Sequence, residues 1–284
     1  MKGVILAGGR GTRMYPLTDS ISKQLLPVYD KPTIYYPLST LMELDIKDIL
    51  IITNPENVEL FKKVLDIDLG INIEVMSQTN PTGGIAEAVL LAEEFLKGSE
   101  FCLILGDNIL YSQSLTQSIK KFKETKSGCL VFGVYVEHPS EFGVLELDND
   151  KVVSIEEKPA VPKSNYAIPG IYFYDKSAVD KVKTLKPSSR GELEITDLNK
   201  LYLIEGSLEA SILDNNTKWF DTGSPDGLLE ASLSIKNLQD NGVEVGVIEN
   251  IAYRKGWIDH NSLSKSKAYT NMKTKYSNIV RGSL

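Results

Sequence analysis

Residues 3–24 read GVILAGGRGTRMYPLTDSISKQ: an apolar run, Val4 to Ala7, leads directly into Gly8, Gly9 and Gly11 and the cations Arg10, Arg13 and Lys23. The run has strand length, and the turn after it lacks side chains that would hold backbone N–H groups away from an anion. A glycine-rich turn also serves many α/β folds merely to reverse the chain. The clustered cations distinguish this one, because Asp19 is the only acid among them. The spacing is neither the G-x-x-x-x-G-K-[ST] of a P-loop nor the G-x-G-x-x-G of a dinucleotide site, which weakens kinase and dehydrogenase readings.

Working outward, strand-like runs DIKDILIIT (45–53), INIEVM (71–76) and FCLIL (101–105) alternate with helical patterns. One helix carries Tyr35, Leu38, Leu41, Met42 and Leu44 as its apolar stripe, with Pro32 placed near its start, and another carries Ile85, Ala88, Val89, Ala92 and Phe95. This rhythm predicts an α/β fold with a mostly parallel central sheet, helices on both faces and ligands at the strands' carboxyl ends. From Ser127 the pattern turns β-rich, through CLVFGVYV, GVLELDND-KVVSIEEK with a turn at Asp148-Asn149-Asp150, and GIYFY. Helical patterns return from Glu192 to Glu205 and after Asp221-Thr222-Gly223, where Ser224 caps and Pro225 takes the first helical position. The chain thus divides into a core over 1–239, with parts at about 1–126 and 127–239, and a smaller, partly helical extension over 240–284.

Composition narrows the function. With 42% hydrophobic and 24% charged residues in 284, the chain is ordinary globular protein. No apolar stretch reaches membrane-span length and the first apolar run is too short for a signal segment, so a cytoplasmic protein is expected. Cys102 and Cys129 sit in strand-like runs and read as buried thiols, and two histidines leave little room for a zinc site or a His-centred triad. Against 31 Lys and Arg stand 38 Asp and Glu, a net charge of −7, which argues against nucleic-acid binding. An anionic ligand must find a local cationic cluster in this repelling field.

The stretch G-G-x-G-T-R (8–13), then Y-P and S-K-Q-L-L-P (22–27), resembles the signature of the sugar-nucleotide pyrophosphorylases, in particular their branch that transfers a thymidylyl group to glucose 1-phosphate. The likeness continues in register through YDKPTIYYPLSTLM, LGDNI, EEKP, KSNYA, RGELEITD and WFDTG, nearly the whole chain. It implies a Rossmann-like nucleotidyltransferase core with a nucleotide-binding part, a β-rich sugar-phosphate part and an extension serving assembly or regulation. Also implied are dTTP and glucose 1-phosphate as substrates, Mg²⁺ as cofactor, dTDP-glucose for deoxysugar synthesis as product, and a homotetramer inhibited by dTDP-rhamnose. Neither a nucleic-acid nor a membrane partner is implied.

The resemblance also implies roles. Leu6, Gly8, Gly9, Gly11, Thr12, Arg13, Lys23, Gln24, Gln78, Gly83, Gly84 and Asp107 would line the nucleotide, with Gln78 reading the base. Asp107 and Asp221 would hold Mg²⁺, although each alone reads equally as a turn or capping aspartate. Asn108, Gly143, Glu157, Lys158, Ile168, Tyr172 and Arg190 would hold the sugar phosphate. In isolation E-E-K-P is a common surface turn. The catalytic set would be Arg13, Lys23, Asp107, Lys158 and Asp221, because two polyanions about 4 Å apart repel by roughly 4 kcal/mol per charge pair at an effective dielectric of 20. For regulation the stretch is Glu249 to Arg254, with Asn250 where an acid is usual and Ser112 where a glycine follows Tyr111. The loop over 79–84 is one residue longer than the thymidylyl branch shows, which leaves open whether Gly83 or Gly84 faces the base. UTP in place of dTTP is the nearest alternative. A non-catalytic nucleotide-sugar sensor is the other, but such a protein is expected to lose one of Arg13, Lys23, Asp107 and Asp221, and all four are present.

Overall fold

In chain order the structure runs β1 (Lys2–Ala7), a two-residue ribbon β2 (Pro27–Val28) and β3 (Lys31–Pro32), α1 (Tyr35–Glu43), β4 (Asp48–Thr53), α2 (Val58–Val64) and β5 (Asn72–Ser77). There follow α3 (Glu87–Leu91), α4 (Glu93–Leu96), β6 (Phe101–Leu105), β7 (Asn108–Tyr111), α5 (Leu115–Thr125), β8 (Cys129–Tyr135), β9 (Gly143–Asp148), β10 (Lys151–Glu157), β11 (Tyr166–Ala167) and β12 (Ile171–Tyr174). The last third holds α6 (Ala178–Val182), α7 (Ile195–Ile204), β13 (Leu208–Ile212), β14 (Lys218–Asp221), α8 (Pro225–Asp240), α9 (Ile248–Arg254), α10 (His260–Lys265), α11 (Lys267–Thr270) and α12 (Lys275–Arg281). This computed structural model describes residues 1–284 apart from Thr79, Pro81, Gln113, Lys126, Ser127, Asp150, Met272 and Leu284.

A ten-stranded sheet forms the centre, in the order β10-β9-β11-β8-β12-β6-β1-β4-β5, with β13 parallel to β8. Strands β5, β4, β1 and β6 are all parallel, as the alternation of apolar runs and helices predicts. Pairing becomes antiparallel where β12 joins β6 and β8. Alternate residues point to opposite faces and both faces are covered, which is why the runs of β1, β4 and β6 are mainly apolar, whereas β5 at the edge carries Asn72 and Glu74. Ile5, Ile49, Ile51 and Ile104 pack with Leu38, Leu41 and Phe61 and with Ile248, Ile251, Leu263 and Val280 of the C-terminal helices. Val4, Leu50, Ile52 and Leu103 pack the other way, with Val89, Leu96, Val179, Leu198 and Tyr202. Each such buried aliphatic side chain contributes roughly 1.5–3 kcal/mol, so the segment beyond residue 240 is built into the same core as the first strand.

Several boundaries differ from the sequence reading. Pro32 does not open α1 but pairs with Pro27 across the β2–β3 ribbon, and α1 begins at Tyr35 with Pro37 in its first turn, where a missing N–H costs nothing. The helix expected from Ile85 to Phe95 is broken at Ala92 into α3 and α4. That expected from Glu192 starts at Ile195, because the Leu193 N–H donates to the Gly83 carbonyl and its own carbonyl accepts from Ala86. The turn between β9 and β10 has Asn149 at φ +47°, while Asp150 lies outside the described residues, as do Lys126 and Ser127 at the expected mid-chain division. Helix α8 opens as its sequence dictates, with Ser224 Oγ accepting from Gly227 N at 3.1 Å and Pro225 next. Asp240 at its end accepts from Lys236 and Lys275, which holds its carboxyl down at about 2 and ties α8 to α12.

Cys102 and Cys129 are free and buried, and burial pushes both thiols up, away from reactivity. Among the described residues no helix is long and apolar enough to cross a membrane.

Candidate active site

The parallel strands end side by side and deliver the first half of the site. Beyond β1 the chain turns through Gly9 at φ +93° and Gly11 at φ +60°, conformations that side-chain-bearing residues rarely adopt. Thr18 Oγ1 pins the loop by donating to the Gly11 carbonyl at 2.7 Å. Gly9, Arg10, Gly11, Lys23 and Asn54 line a cavity of about 280 Å³.

Beyond β6, Gly106 N donates to the Leu6 carbonyl at 2.9 Å, which sets Asp107 beside the glycine loop. Asp107 Oδ1 accepts from Asn108 Nδ2 at 3.1 Å, and Oδ2 accepts from Lys23 Nζ. The second aspartate arrives from more than a hundred residues away. Antiparallel pairing of β14 with β7 sets Asp221 opposite Asn108, and Thr222 donates to the Asp107 carbonyl through both N (3.0 Å) and Oγ1 (2.8 Å). Arg13 Nη2 stands 3.6 Å from Asp221 Oδ2 with its side chain 61% exposed, so the guanidinium is held near the acids yet open to a ligand.

The two carboxyls respond differently. Burial pushes Asp107 up, but the Lys23 ammonium and the hydrogen bonds from Lys23 and Asn108 outweigh it and hold the group below its usual range. Burial, and then the negative charge of Asp107, push Asp221 up. A carboxyl pushed up by burial and by a neighbouring carboxylate's charge is one that a divalent cation between the two would relieve. No group of three or more metal-ligating His, Cys, Asp or Glu occurs among the described residues. The protein would therefore supply two oxygen ligand groups and leave the rest to phosphate and water.

Asp107 and Asp221 open into a cavity of about 380 Å³ that gathers Arg13, Asn108, Gly143, Glu157, Lys158, Ile168, Tyr172 and Arg190. All seven residues expected at the sugar phosphate are thus in one place. Lys158 takes φ +44° immediately after β10, and its N–H donates to the Phe142 carbonyl at 3.0 Å. Such a conformation in a non-glycine residue is frequent where side chains are aimed at a ligand. Glu157 Oε2 accepts from Thr196 Oγ1 at 2.5 Å, and Arg190 is forked onto Glu194 at 3.1 and 2.7 Å. Asn108 Oδ1 accepts from Trp219 Nε1 at 2.6 Å and Gly170 N at 3.1 Å, which turns its amide nitrogen toward Asp107. A cavity of about 650 Å³ lies between the β2–β3 ribbon and the C-terminal helices, but it lacks the glycine loop and the paired aspartates, so size does not locate the chemistry.

Sequence reasoning did not assign Asn54, Thr196, Glu194 or Trp219. Asn54 directly follows a parallel strand, as Gln78 does, and that position was its legible signal. Trp219 stood within the quoted WFDTG. Gln78 is 7% exposed, not an exposed loop residue, and Gln24 is 2% exposed with its Nε2 3.4 Å from the Gly8 carbonyl. Gly84, at φ +87°, is shaped by the 193 segment, since a Cβ there would meet the Leu193 carbonyl oxygen at 2.4 Å. Thr12 and Arg13 lie in one turn of 3₁₀ helix whose Met14 is buried.

The regulatory stretch divides. Tyr111, Ser112 and Arg254 line a cavity of about 200 Å³ with Glu43 and Glu244. Glu249 instead turns inward to accept from Tyr276 Oη, and Asn250 Nδ2 donates to Glu244 Oε1 at 3.0 Å.

Comparison with known proteins decides the lineage. The family described as nucleotidyl transferase matches residues 2–237. A glucose-1-phosphate thymidylyltransferase of Neisseria meningitidis serogroup A is 49% identical over 280 residues, 97% of this chain and 96% of that protein. One from Mycobacterium tuberculosis (strain H37Rv) is 44% identical over 284 residues, 99% and 98% of the two chains. The chain belongs to the glucose-1-phosphate thymidylyltransferase family of nucleotidyl transferases. Solved structures agree. A Bacillus anthracis protein assigned to the same activity, in complex with sucrose, matches with a TM-score of 0.78 at 40% identity, covering 84% of this chain and 96% of that one. A UDP-glucose pyrophosphorylase complexed with UDP-glucose matches with a TM-score of 0.73 at 25% identity, covering 83% and 98%.

Proposed function

We infer that this chain condenses dTTP with glucose 1-phosphate to dTDP-glucose and pyrophosphate, in one in-line displacement. The observation that carries this reading is the meeting of Arg13, Asp107 and Asp221 in the cavity that also holds Glu157 and Lys158, with Lys23 of the neighbouring glycine-loop cavity paired to Asp107. Lys158 offsets the charge of the sugar phosphate, whose ionised oxygen attacks the α-phosphorus and needs no general base. Glu157 accepts from sugar hydroxyls. Arg13 and Lys23 meet the triphosphate, and Arg13 stabilises charge that grows on the bridging and pyrophosphate oxygens as the α–β bond breaks. Asp107 and Asp221 would hold Mg²⁺, which supplies charge neutralisation on the α-phosphate and the leaving group. Gln78 reads the base.

The test is pyrophosphate release across a matrix of triphosphates and sugar phosphates with Mg²⁺. The expected result is fastest turnover for dTTP with glucose 1-phosphate, abolished by chelation. UTP should come next, behind by roughly 10- to 200-fold in kcat/KM, because one methyl group is worth about 1–3 kcal/mol. No turnover anywhere in the matrix would leave a nucleotide-sugar sensor as the better reading.

Feedback by dTDP-rhamnose belongs to the same proposal and draws support from Arg254 and Ser112 sharing one cavity. Arg254 is paired with Glu43, so an anionic ligand would have to exchange for that acid. Excess dTDP-rhamnose is expected to slow the forward reaction, and equal rates with and without it would remove the idea.

A further inference from the structure

Gly8, Asn54 and Gln78 follow three neighbouring parallel strands whose last residues, Ala7, Thr53 and Ser77, stand in register. They are joined in one relay. Asn54 Nδ2 donates to the Gly9 carbonyl at 3.0 Å, and Asn54 Oδ1 accepts from Gln78 Nε2. The face of the Gln78 amide lies on Gly8, where a Cβ would come within 2.3 to 2.5 Å of Oε1, Cδ and Nε2. Both amides are buried, at 9% and 7% exposure.

An amide is nearly symmetric in shape, so its orientation must be imposed by hydrogen bonding. Here the anchor is a main-chain carbonyl, which can only accept. It obliges Asn54 to present Nδ2 to Gly9 and Oδ1 to Gln78, and Gln78 in turn to present Nε2. Reversing Gln78 would set two oxygens against each other with no proton between them, at a cost of about tenfold or more in the equilibrium. Among the described residues nothing donates to Gln78 Oε1, and one Nε2 proton remains after the Asn54 bond.

We propose that Asn54 is a positioning residue for base selection: by fixing which end of the Gln78 amide meets the base, it selects a 4-oxo over a 4-amino pyrimidine. The inference rests on the reading that Gln78 faces the base. Thymine and uracil offer an acceptor at O4 beside a donor at N3, and cytosine offers the reverse order. Held in one orientation, the amide pairs with the first order and meets the second like against like.

The test compares kcat/KM for dTTP and dCTP in Asn54→Ala, Asn54→Asp, Gln78→Ala and the double Ala variant. Where turnover is too slow, calorimetric affinities for dTDP and dCDP give the same ratio. Asn54→Ala should lower the preference for the thymine nucleotide about tenfold or more. Asn54→Asp still accepts from Nε2 and should keep the preference near the parent value, although its charge beside the phosphate loop slows both reactions. In the Gln78→Ala background, Asn54→Ala should leave the preference unmoved, because it acts through Gln78. An Asn54 that merely braces the loop would depress both nucleotides alike with the ratio intact, and that result overturns the proposal. A ratio as low in Asn54→Asp as in Asn54→Ala does the same. A ratio unchanged by Gln78→Ala defeats the base reading itself, and the inference falls with it.

Discussion

Asp107→Asn should lower kcat roughly 10²–10³-fold while barely changing the affinity for free glucose 1-phosphate. The carboxylate is tied to Lys23 and to the segment that carries Asp221, and on the proposed reading it meets the triphosphate, so its charge should matter most when the α-phosphorus is under attack. The amide keeps the volume and can still accept from Lys23, so the fold survives. On the proposed reading, what is lost is one of the two carboxylates that would hold Mg²⁺, and with it the negative charge that helps push Asp221 up. Turnover by pyrophosphate release and sugar-phosphate affinity by calorimetry measure the two halves of the expectation. Unchanged turnover would remove Asp107 from the catalytic set.

A pH signature accompanies it. Because the folded carboxyl of Asp107 lies below its usual value of about 3.9, its stabilising contribution is present above that pH and is lost as the pH falls through the folded value. The metal-free parent should therefore lose stability below about pH 3.9 by an increment that the variant does not share.

The parallel half of the fold was legible because buried strands have no polar face to disguise them: GVILA and FCLIL are apolar from end to end, DILIIT carries its polar residues only at its two ends, and they became β1, β6 and β4. The helices between them were harder to bound. Pro32 has the φ for a first helical residue, but that φ also fits the short ribbon it occupies, which the bonds from Thr33 N and Thr33 Oγ1 to the Leu26 carbonyl favour. The motif residues of the site were legible one by one, yet their partners were not. Nothing in a sequence says that Thr196 will donate to Glu157, or that Trp219 will turn the Asn108 amide, because those contacts join segments 39 and 111 residues apart. Gln78 shows the same limit. Its place after a strand was readable, whereas its burial and its tie to Asn54 depend on the register of β4 and β5. The regulatory stretch could not be read as one unit for a local reason: α9 turns its residues to different sides, so Arg254 lines the cavity of Tyr111 and Ser112 while Glu249 lines another.

Arg13→Ala should cut kcat by roughly 10²–10³-fold and Arg13→Lys should recover only part of that loss, because a lysine brings the charge without the planar fork that grips two phosphate oxygens. Stability should hardly move. The Arg13 side chain is 61% exposed, its 3.6 Å approach to Asp221 is long for a hydrogen bond, and its turn is anchored by the buried Met14. A thermal unfolding midpoint equal to the parent's, beside a collapsed kcat, would separate an electrostatic role from a structural one. The rival account is that Arg13 merely neutralises Asp221 until a metal binds. On that account Arg13→Ala would strengthen Mg²⁺ binding and leave kcat at saturating Mg²⁺ near the parent value. Gly223→Ala approaches the pair from the other side, since a Cβ there would meet Arg13 Nη2 at 2.7 Å and Asp221 Oδ1 at 2.9 Å, displacing both groups without removing either, so it is read at saturating metal. If Arg13 acts on the breaking bond, displacement and truncation should fail in the same way, in kcat at saturating metal, with displacement the milder of the two.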